Sequence, residues 1–165
     1  MKPVVGIIMG SDSDLPTMQE ATKVLNQFEI SYEIGVYSAH RSPHRSDEYV
    51  RTARERGLKL IIAGAGSSAH LAGVTAAETT LPVIGVPIDS SPLSGFDALL
   101  STVQMPPGVP VATMGVGKSG ATNAGMFAVQ VLALSDEGLT ARLNDYKSQL
   151  EKTVAEKSKK VQETL

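Results

Sequence analysis

Five short apolar runs punctuate the chain, each followed by small or polar turn residues and then by a stretch with helical periodicity. Val4-Val5-Gly6-Ile7-Ile8-Met9 is the first, a continuous apolar run of the kind required of a strand buried on both faces. Behind it, Leu15, Met18, Leu25 and Phe28 recur at spacings that place them on one face of a helix. Ser31 to Tyr37 reads as a second strand. Pro43 to Arg56 reads as a polar helix with Tyr49, Val50 and Ala53 on its buried side and Gly57 as its C-cap. Leu58 to Ala63 is the third strand, followed after His70 by an Ala-rich helix. Pro82-Val83-Ile84-Gly85-Val86-Pro87 is the fourth, with its prolines expected at the strand margins. A short helix over Phe96 to Gln104 and a fifth strand over Val111 to Met114 come next.

Ala121 to Leu134 predicts a helix with Met126, Phe127, Val129, Val131 and Leu132 spread around it, and so buried on much of its surface. From Asp136 the texture changes. Leu139, Leu143, Tyr146, Leu150 and Val154 step by three or four along an otherwise polar helix, a stripe that needs its own core or a neighbouring subunit to cover it. Beyond Lys157 only Val161 and Leu165 are strongly apolar, which predicts a fraying end.

Alternating strands and helices with short connections predict an α/β fold: a three-layer α/β/α, flavodoxin-like parallel sheet with right-handed crossovers. The order 2-1-3-4-5 would bring the loops after strands 1, 2 and 3 to one crevice at the carboxyl end of the sheet. The chain is expected to be one domain over 1–165, with 136–165 a helical extension packing on a neighbouring subunit.

Composition narrows the function. A net charge of −2 gives no footprint for bulk binding to nucleic acid or to an anionic membrane. Without Cys there is neither a disulfide, a thiolate metal site nor a cysteine nucleophile. No basic-then-apolar leader opens the chain and no apolar run approaches the roughly 20 residues of a membrane span, so a soluble, cytoplasmic protein is expected.

Three strand-end loops carry the chemistry. Gly10-Ser11-Asp12-Ser13-Asp14 offers backbone N–H groups and hydroxyls at a helix start, suited to an anion or to plain N-capping. Tyr37-Ser38-Ala39-His40-Arg41-Ser42-Pro43 places a hydroxyl, an imidazole and a guanidinium within four residues. The imidazole can exchange a proton near neutral pH and the guanidinium can hold a phosphate. The same stretch also suits an ordinary turn, with Ser42 as N-cap and Pro43 in the first helical turn. Gly64-Ala65-Gly66-Ser67-Ser68-Ala69-His70 is small enough for a backbone to approach a ligand, and His70 reads as a supporting, hydrogen-bonding residue. Asp89 to Gly95 reads as a long functional loop. Arg51, Arg54, Glu55 and Arg56 read as a solvated helix face. Gly117-Lys118-Ser119 is not a P-loop, since position 112 is Ala, and Asn123 and Gly125 read as packing or interface residues.

Taken together, Gly10 to Asp14, Ser38 to Pro43, Ala63-Gly64-Ala65-Gly66, Leu93-Ser94-Gly95, Val103-Gln104-Met105-Pro106 and Gly117-Lys118 resemble the N5-carboxyaminoimidazole ribonucleotide mutases of purine biosynthesis. The resemblance runs in order from about Val4 to Tyr146. It implies an enzyme that moves a carboxylate from the exocyclic N5 to ring C4 of a ribonucleotide, with no cofactor and no metal, in a homo-oligomer that is typically an octamer. By the same resemblance, Ser11, Ser38 and Arg41 would meet the substrate phosphate and Asp14 the ribose. His40 would transfer protons, and the loop with Gly66, Ser67, Ser68, Ala69 and His70 would close round the base. The chain departs from the family at Ser67-Ser68, where many members have Gly-Ala, at Ala72 in place of a usual Pro, and at Leu15 where an aromatic is frequent. A related branch carboxylates aminoimidazole ribonucleotide directly with carbon dioxide. The Gly64-Ala65-Gly66 loop and Met105-Pro106 resemble the mutase branch. A non-catalytic module for a phosphorylated ligand would use the same Ser, Gly and Arg residues but would give His40 no task. Flavin mononucleotide binding is suggested by fold analogy alone.

Overall fold

A computed structural model describes residues 2–164, and contact patterns divide the chain into two compact units, 1–129 and 130–165. In the first unit β1 (Val5–Met9), β2 (Tyr32–Val36), β3 (Leu60–Gly66), β4 (Val83–Ile88) and β5 (Ala112–Thr113) form one parallel sheet in the order β2-β1-β3-β4-β5. Its helices are α1 (Leu15–Gln27), α2 (Pro43–Arg56), α3 (Leu71–Glu78) and α4 (Phe96–Val103), followed by α5 (Gly117–Ala133), whose last turn enters the second unit. The expected flavodoxin-like order is the observed one.

The two sheet faces are covered by different means. Ile8, Ile61, Ala63 and Val83 pack with Val50 and Ala53 of α2 and Leu71 and Ala72 of α3 in one buried cluster. Ala72 therefore fills core where the family resemblance led one to expect Pro. On the other face α1 and α5 approach closely. A Cβ at Gly125 would stand 2.9 Å from both the Ala21 carbonyl oxygen and Val24 Cβ, so Gly125 is a packing residue, as the sequence suggested. The buried stripe of α5 is made of Gly117, Gly120, Ala121, Ala124, Gly125, Ala128 and Val129. Phe127 is 36% exposed, so the small residues rather than the large apolar ones make the buried face.

Two local expectations need amendment. α5 begins at Gly117 rather than Ala121, because Gly117 takes φ +75°, a value open to glycine, and turns the chain into the helix. Pro87 lies inside β4 rather than at its margin. β5 pairs only with Ile84 and Gly85, so beyond Gly85 the outer side of β4 has no partner strand, and a residue without N–H is tolerated there. Arg51, Arg54 and Glu55 lie on an exposed helix face, as expected, and the arginines make surface contacts there: Arg51 pairs with Asp47 and Glu78, Arg54 donates to Thr80 Oγ1, and the half-buried Arg56 reaches Glu33 at 2.9 Å.

The second unit is dominated by α6 (Glu137–Gln162), N-capped by Asp136, whose carboxylate accepts from Leu139 N at 2.9 Å. The helix continues past Lys157 to Gln162. Good helix formers continue to Gln162, and Lys159 and Lys160 in the last turn complement the negative end of the helix dipole. Leu165 lies outside the described residues. Leu150 and Val154 of the apolar stripe are 43% and 67% exposed. Among the described residues no helix is long and apolar enough to cross a membrane.

Candidate functional site

The switch in direction between β2 and β3, on either side of β1, collects the three strand-end loops in a cleft of about 310 Å³. Ser11, Asp14, Ser38, His40, Arg41, Gly66, Ser67, Ser68 and His70 all line it. Ala69, named with them, does not: it is 1% exposed and turned into the protein.

The first loop leaves β1 through a 3-10 turn at Asp12–Asp14 held by a reciprocal cap. Asp14 accepts from Ser11 N at 3.0 Å, while Ser11 Oγ receives Ser13 N at 3.4 Å and Ser13 Oγ at 3.0 Å. Asp14 is 4% exposed, and burial holds its carboxyl above the usual carboxylate range, against the opposing pull of the Ser11 N–H and the Arg41 charge.

The second loop folds round Ser38. Ser38 Oγ accepts from Arg41 N at 3.1 Å and Arg41 Nε at 3.4 Å. Ser42 begins α2 without capping it; its hydroxyl turns back instead, donating to Ser38 O at 3.2 Å and accepting from Ser38 N at 3.1 Å. Arg41 Nη2 then donates to Gly10 O at 2.8 Å, which ties the second loop to the first.

The third loop passes through Ser67, whose φ of +53° lies in the left-handed region that side chains disfavour. It delivers His70 to the second loop, where His40 Nε2 and His70 Nδ1 stand 2.8 Å apart with the rings edge to face. Gly10, Ser13, Ala39, Ala65, Leu71 and Ser90 complete the lining. Ser90 escaped the sequence reading as an individual residue, although its neighbours from Asp89 to Gly95 stood out as a functional loop. A Cβ on Gly66 would collide with Ser90 Oγ, so glycine there lets the two loops close on each other. Leu15, a departure from the family, is 39% exposed and outside this lining.

A larger groove of about 470 Å³ runs along β2 and α2 between Glu33, Tyr37, Arg45, Tyr49 and Arg56. Its arginines are engaged within the protein: Arg45 lies over Tyr37 and donates to Val36 O, and Arg56 lies over Tyr49 and pairs with Glu33. None of the three strand-end loops opens into it apart from Tyr37, and the convergent chemistry lies in the smaller cleft. Among the described residues no group of three or more His, Cys, Asp or Glu side chains could hold a metal ion.

A family model described as AIR carboxylase matches residues 4–153. The chain belongs to that family. Within the AIR carboxylase family it is 56% identical over 158 residues to the N5-carboxyaminoimidazole ribonucleotide mutase of Bacillus subtilis (strain 168), covering 96% of this chain and 98% of that one. It is 57% identical over 150 residues to the protein of the same name from Pyrococcus abyssi, covering 91% and 85% of the two chains. It is also 49% identical over 161 residues to the phosphoribosylaminoimidazole carboxylase of Candida glabrata, covering 98% of this chain but 28% of that protein. The fold matches the crystal structure of Treponema denticola PurE with a TM-score of 0.84 and 26% identity, over 93% of this chain and 95% of that one.

Proposed function

We infer that the chain is an isomerase of de novo purine (IMP) biosynthesis. It converts N5-carboxyaminoimidazole ribonucleotide to 4-carboxy-5-aminoimidazole ribonucleotide, with His40 carrying the protons. The observation that carries the mechanism is the meeting of His40 and His70 in a cleft also lined by the hydroxyls of Ser11, Ser13 and Ser38, the Asp14 carboxyl and the Arg41 guanidinium. The match of nearly full length to proteins named mutases, against 28% of the length of the one named carboxylase, supports the mutase reaction over direct carboxylation.

The residues divide the work. Ser11, Ser38 and Arg41 hold the phosphate, Asp14 holds the ribose, and Gly66, Ser67, Ser68 and His70 of the third loop surround the base, with Ala69 behind them. His40 in its protonated form gives a proton to N5 as the N–C bond breaks and carbon dioxide leaves. The nucleophilic C4 then adds to that carbon dioxide, and the neutral imidazole removes the C4 proton, which restores the starting protonation state. The phosphate is a handle, its binding energy fixing the ring against the imidazole. The chain works without a resident cofactor or metal, in the cytoplasm, as a homo-oligomer of the octameric kind. The exposed end of the stripe on α6, Leu150 and Val154, supports a reading of 136–165 as an extension of one catalytic domain that packs on a neighbouring subunit.

The test compares two substrates while following the 4-carboxylated product. Fast turnover of the N5-carboxy ribonucleotide in bicarbonate-free buffer, with little use of aminoimidazole ribonucleotide at modest carbon dioxide, is the expected result. The reverse preference would make the chain a carboxylase. No product from either would leave a binding module for a phosphorylated ligand.

A further inference from the structure

The turn that presents His70 has little to hold it in place. Ser67 is strained at φ +53°, and the side chains of Ser67 and Ser68 are exposed. Inside the turn, His70 N donates to Ser68 O at 2.8 Å, and Val74 N then reaches back to His70 O at 2.9 Å as α3 starts. The remaining support comes from a segment that runs from the end of β4, where Ser90 lines the cleft, through α4 to Met105.

That segment braces the turn at three points. Ser90 fills the space above Gly66. Met105 lies against α3 where a Cβ on Gly73 would be 3.0 Å from its sulfur. Between them, Ser101 Oγ accepts the N–H of Ala69 at 3.0 Å. The direction of this bond is fixed by α4 itself. The single hydroxyl proton of Ser101 goes to Asp97 O at 2.7 Å, with Ala98 O at 3.2 Å, which leaves the lone pairs for Ala69. Ala69 is the residue immediately before His70 and is buried, so its N–H has this hydroxyl in place of water.

We propose that Ser101 is a positioning residue for the reaction: by holding the Ala69 N–H it fixes His70, and through the His70–His40 contact it fixes the proton-transfer imidazole. The proposal rests on the reading of His40 given above. It gives the Val103-Gln104-Met105-Pro106 stretch a purpose as well, since Met105 closes the same brace. Without the Ser101 acceptor, the Ala69 N–H is left unsatisfied and the turn can relax from the left-handed Ser67 geometry, carrying His70 away from His40.

The test uses Ser101→Ala, Ser101→Cys and Ser101→Thr in the full-length protein. Cys keeps the volume but is a weak acceptor, whereas Thr keeps the hydroxyl. With histidine-labelled protein, the ring resonances and titration curves of His40 and His70 are followed by NMR, with His44 as the internal control. Ser101→Ala and Ser101→Cys are expected to shift His40 and His70 and leave His44 unchanged. They should lower kcat by about ten- to a hundredfold, the cost of a small misplacement of a reacting group. KM should change by about threefold or less, because the phosphate handle sits on other loops. Ser101→Thr should restore both the spectra and kcat. Wild-type His40 and His70 signals in Ser101→Ala and Ser101→Cys would overturn the proposal, as would a Thr variant no better than Ala. If the unaltered protein turns over neither substrate, the functional reading fails, and the NMR comparison still decides whether Ser101 sets the histidine pair.

Discussion

His40 Nε2 and His70 Nδ1 are 2.8 Å apart, so one ring donates and the other accepts along that line. The two rings come from loops after different strands, thirty residues apart in sequence. Their contact ties the geometry of the second loop to that of the third. Replacing His40 with Asn keeps a polar side chain of similar reach but removes a group able to exchange protons near neutral pH. Its expected effect is a fall in kcat of about 10²- to 10⁴-fold with ribonucleotide affinity nearly retained, read by steady-state kinetics and by ligand titration. Loss of affinity in proportion to loss of turnover would make His40 a binding residue.

Arg41 joins two loops as well, through Ser38 Oγ and Gly10 O. Lysine in its place carries the charge but not the planar fork that spans both partners. Arg41→Lys is expected to raise KM about ten- to a hundredfold, as fits the loss of charge-assisted bonds, with a much smaller change in kcat. A kcat defect at unchanged KM would move Arg41 from the phosphate to the reacting ring.

Asp14 gives a pH dependence with a definite sign. Burial raises its carboxyl above the ordinary 3.8, so between that value and the folded value the native state holds more protons than the unfolded chain. Stability from this group is therefore complete below 3.8 and lost as pH rises through the raised folded value. Asn cannot ionise but can still accept from Ser11 N. Denaturant midpoints of Asp14→Asn and the unaltered protein are expected to diverge in favour of the variant as pH rises through this window. Convergence over the same range would show that the Ser11 N–H and Arg41 outweigh burial. The variant should also bind the ribonucleotide about tenfold more weakly, through loss of a charged acceptor for the ribose.

The fold was legible where a single period dominated. Val5 to Met9 and Leu60 to Ala63 are apolar without interruption because both sheet faces are covered, and the loops behind them carry their polar residues in short, contiguous groups. His40, Arg41 and Ser11 stood out for that reason. Ser90 and Ser101 did not, because their meaning lies in contacts with Gly66 and Ala69 across long stretches of chain. Ala69 was placed in the cleft by its neighbours in sequence, but the turn at Ser67 points it inward. Pro87 was misjudged because the two-residue β5 leaves part of β4 unpaired, a fact of the partner strand rather than of β4.

Gly125 tests packing apart from chemistry. Alanine there would press on the Ala21 carbonyl and on Val24 Cβ, both at 2.9 Å, and a helix backbone cannot yield as a flexible side chain can. Gly125→Ala is expected to cost about 1–3 kcal/mol of stability by overpacking. Kinetic constants measured well below the unfolding temperature should be unchanged. A variant as stable as the parent would mean that α1 and α5 separate without penalty.

The stripe on α6 makes the last prediction. Leu150 and Val154 are one turn apart, 43% and 67% exposed, on a helix otherwise rich in charge, and solvation of such a stripe gains nothing for a single chain. If a neighbouring subunit covers it, introducing charge there destroys assembly while leaving the sheet intact. Leu150→Glu together with Val154→Glu is expected to reduce the mass measured by light scattering to that of a smaller species, with the circular dichroism of the fold retained. The substitutions should leave α6 itself formed, since Glu is a better helix former than Val and comparable to Leu. Activity measured on the same sample then separates two arrangements. Turnover lost with assembly would mean that the cleft depends on its neighbour, and turnover retained would mean that each chain carries a complete site. An unchanged mass would remove α6 from the subunit contact.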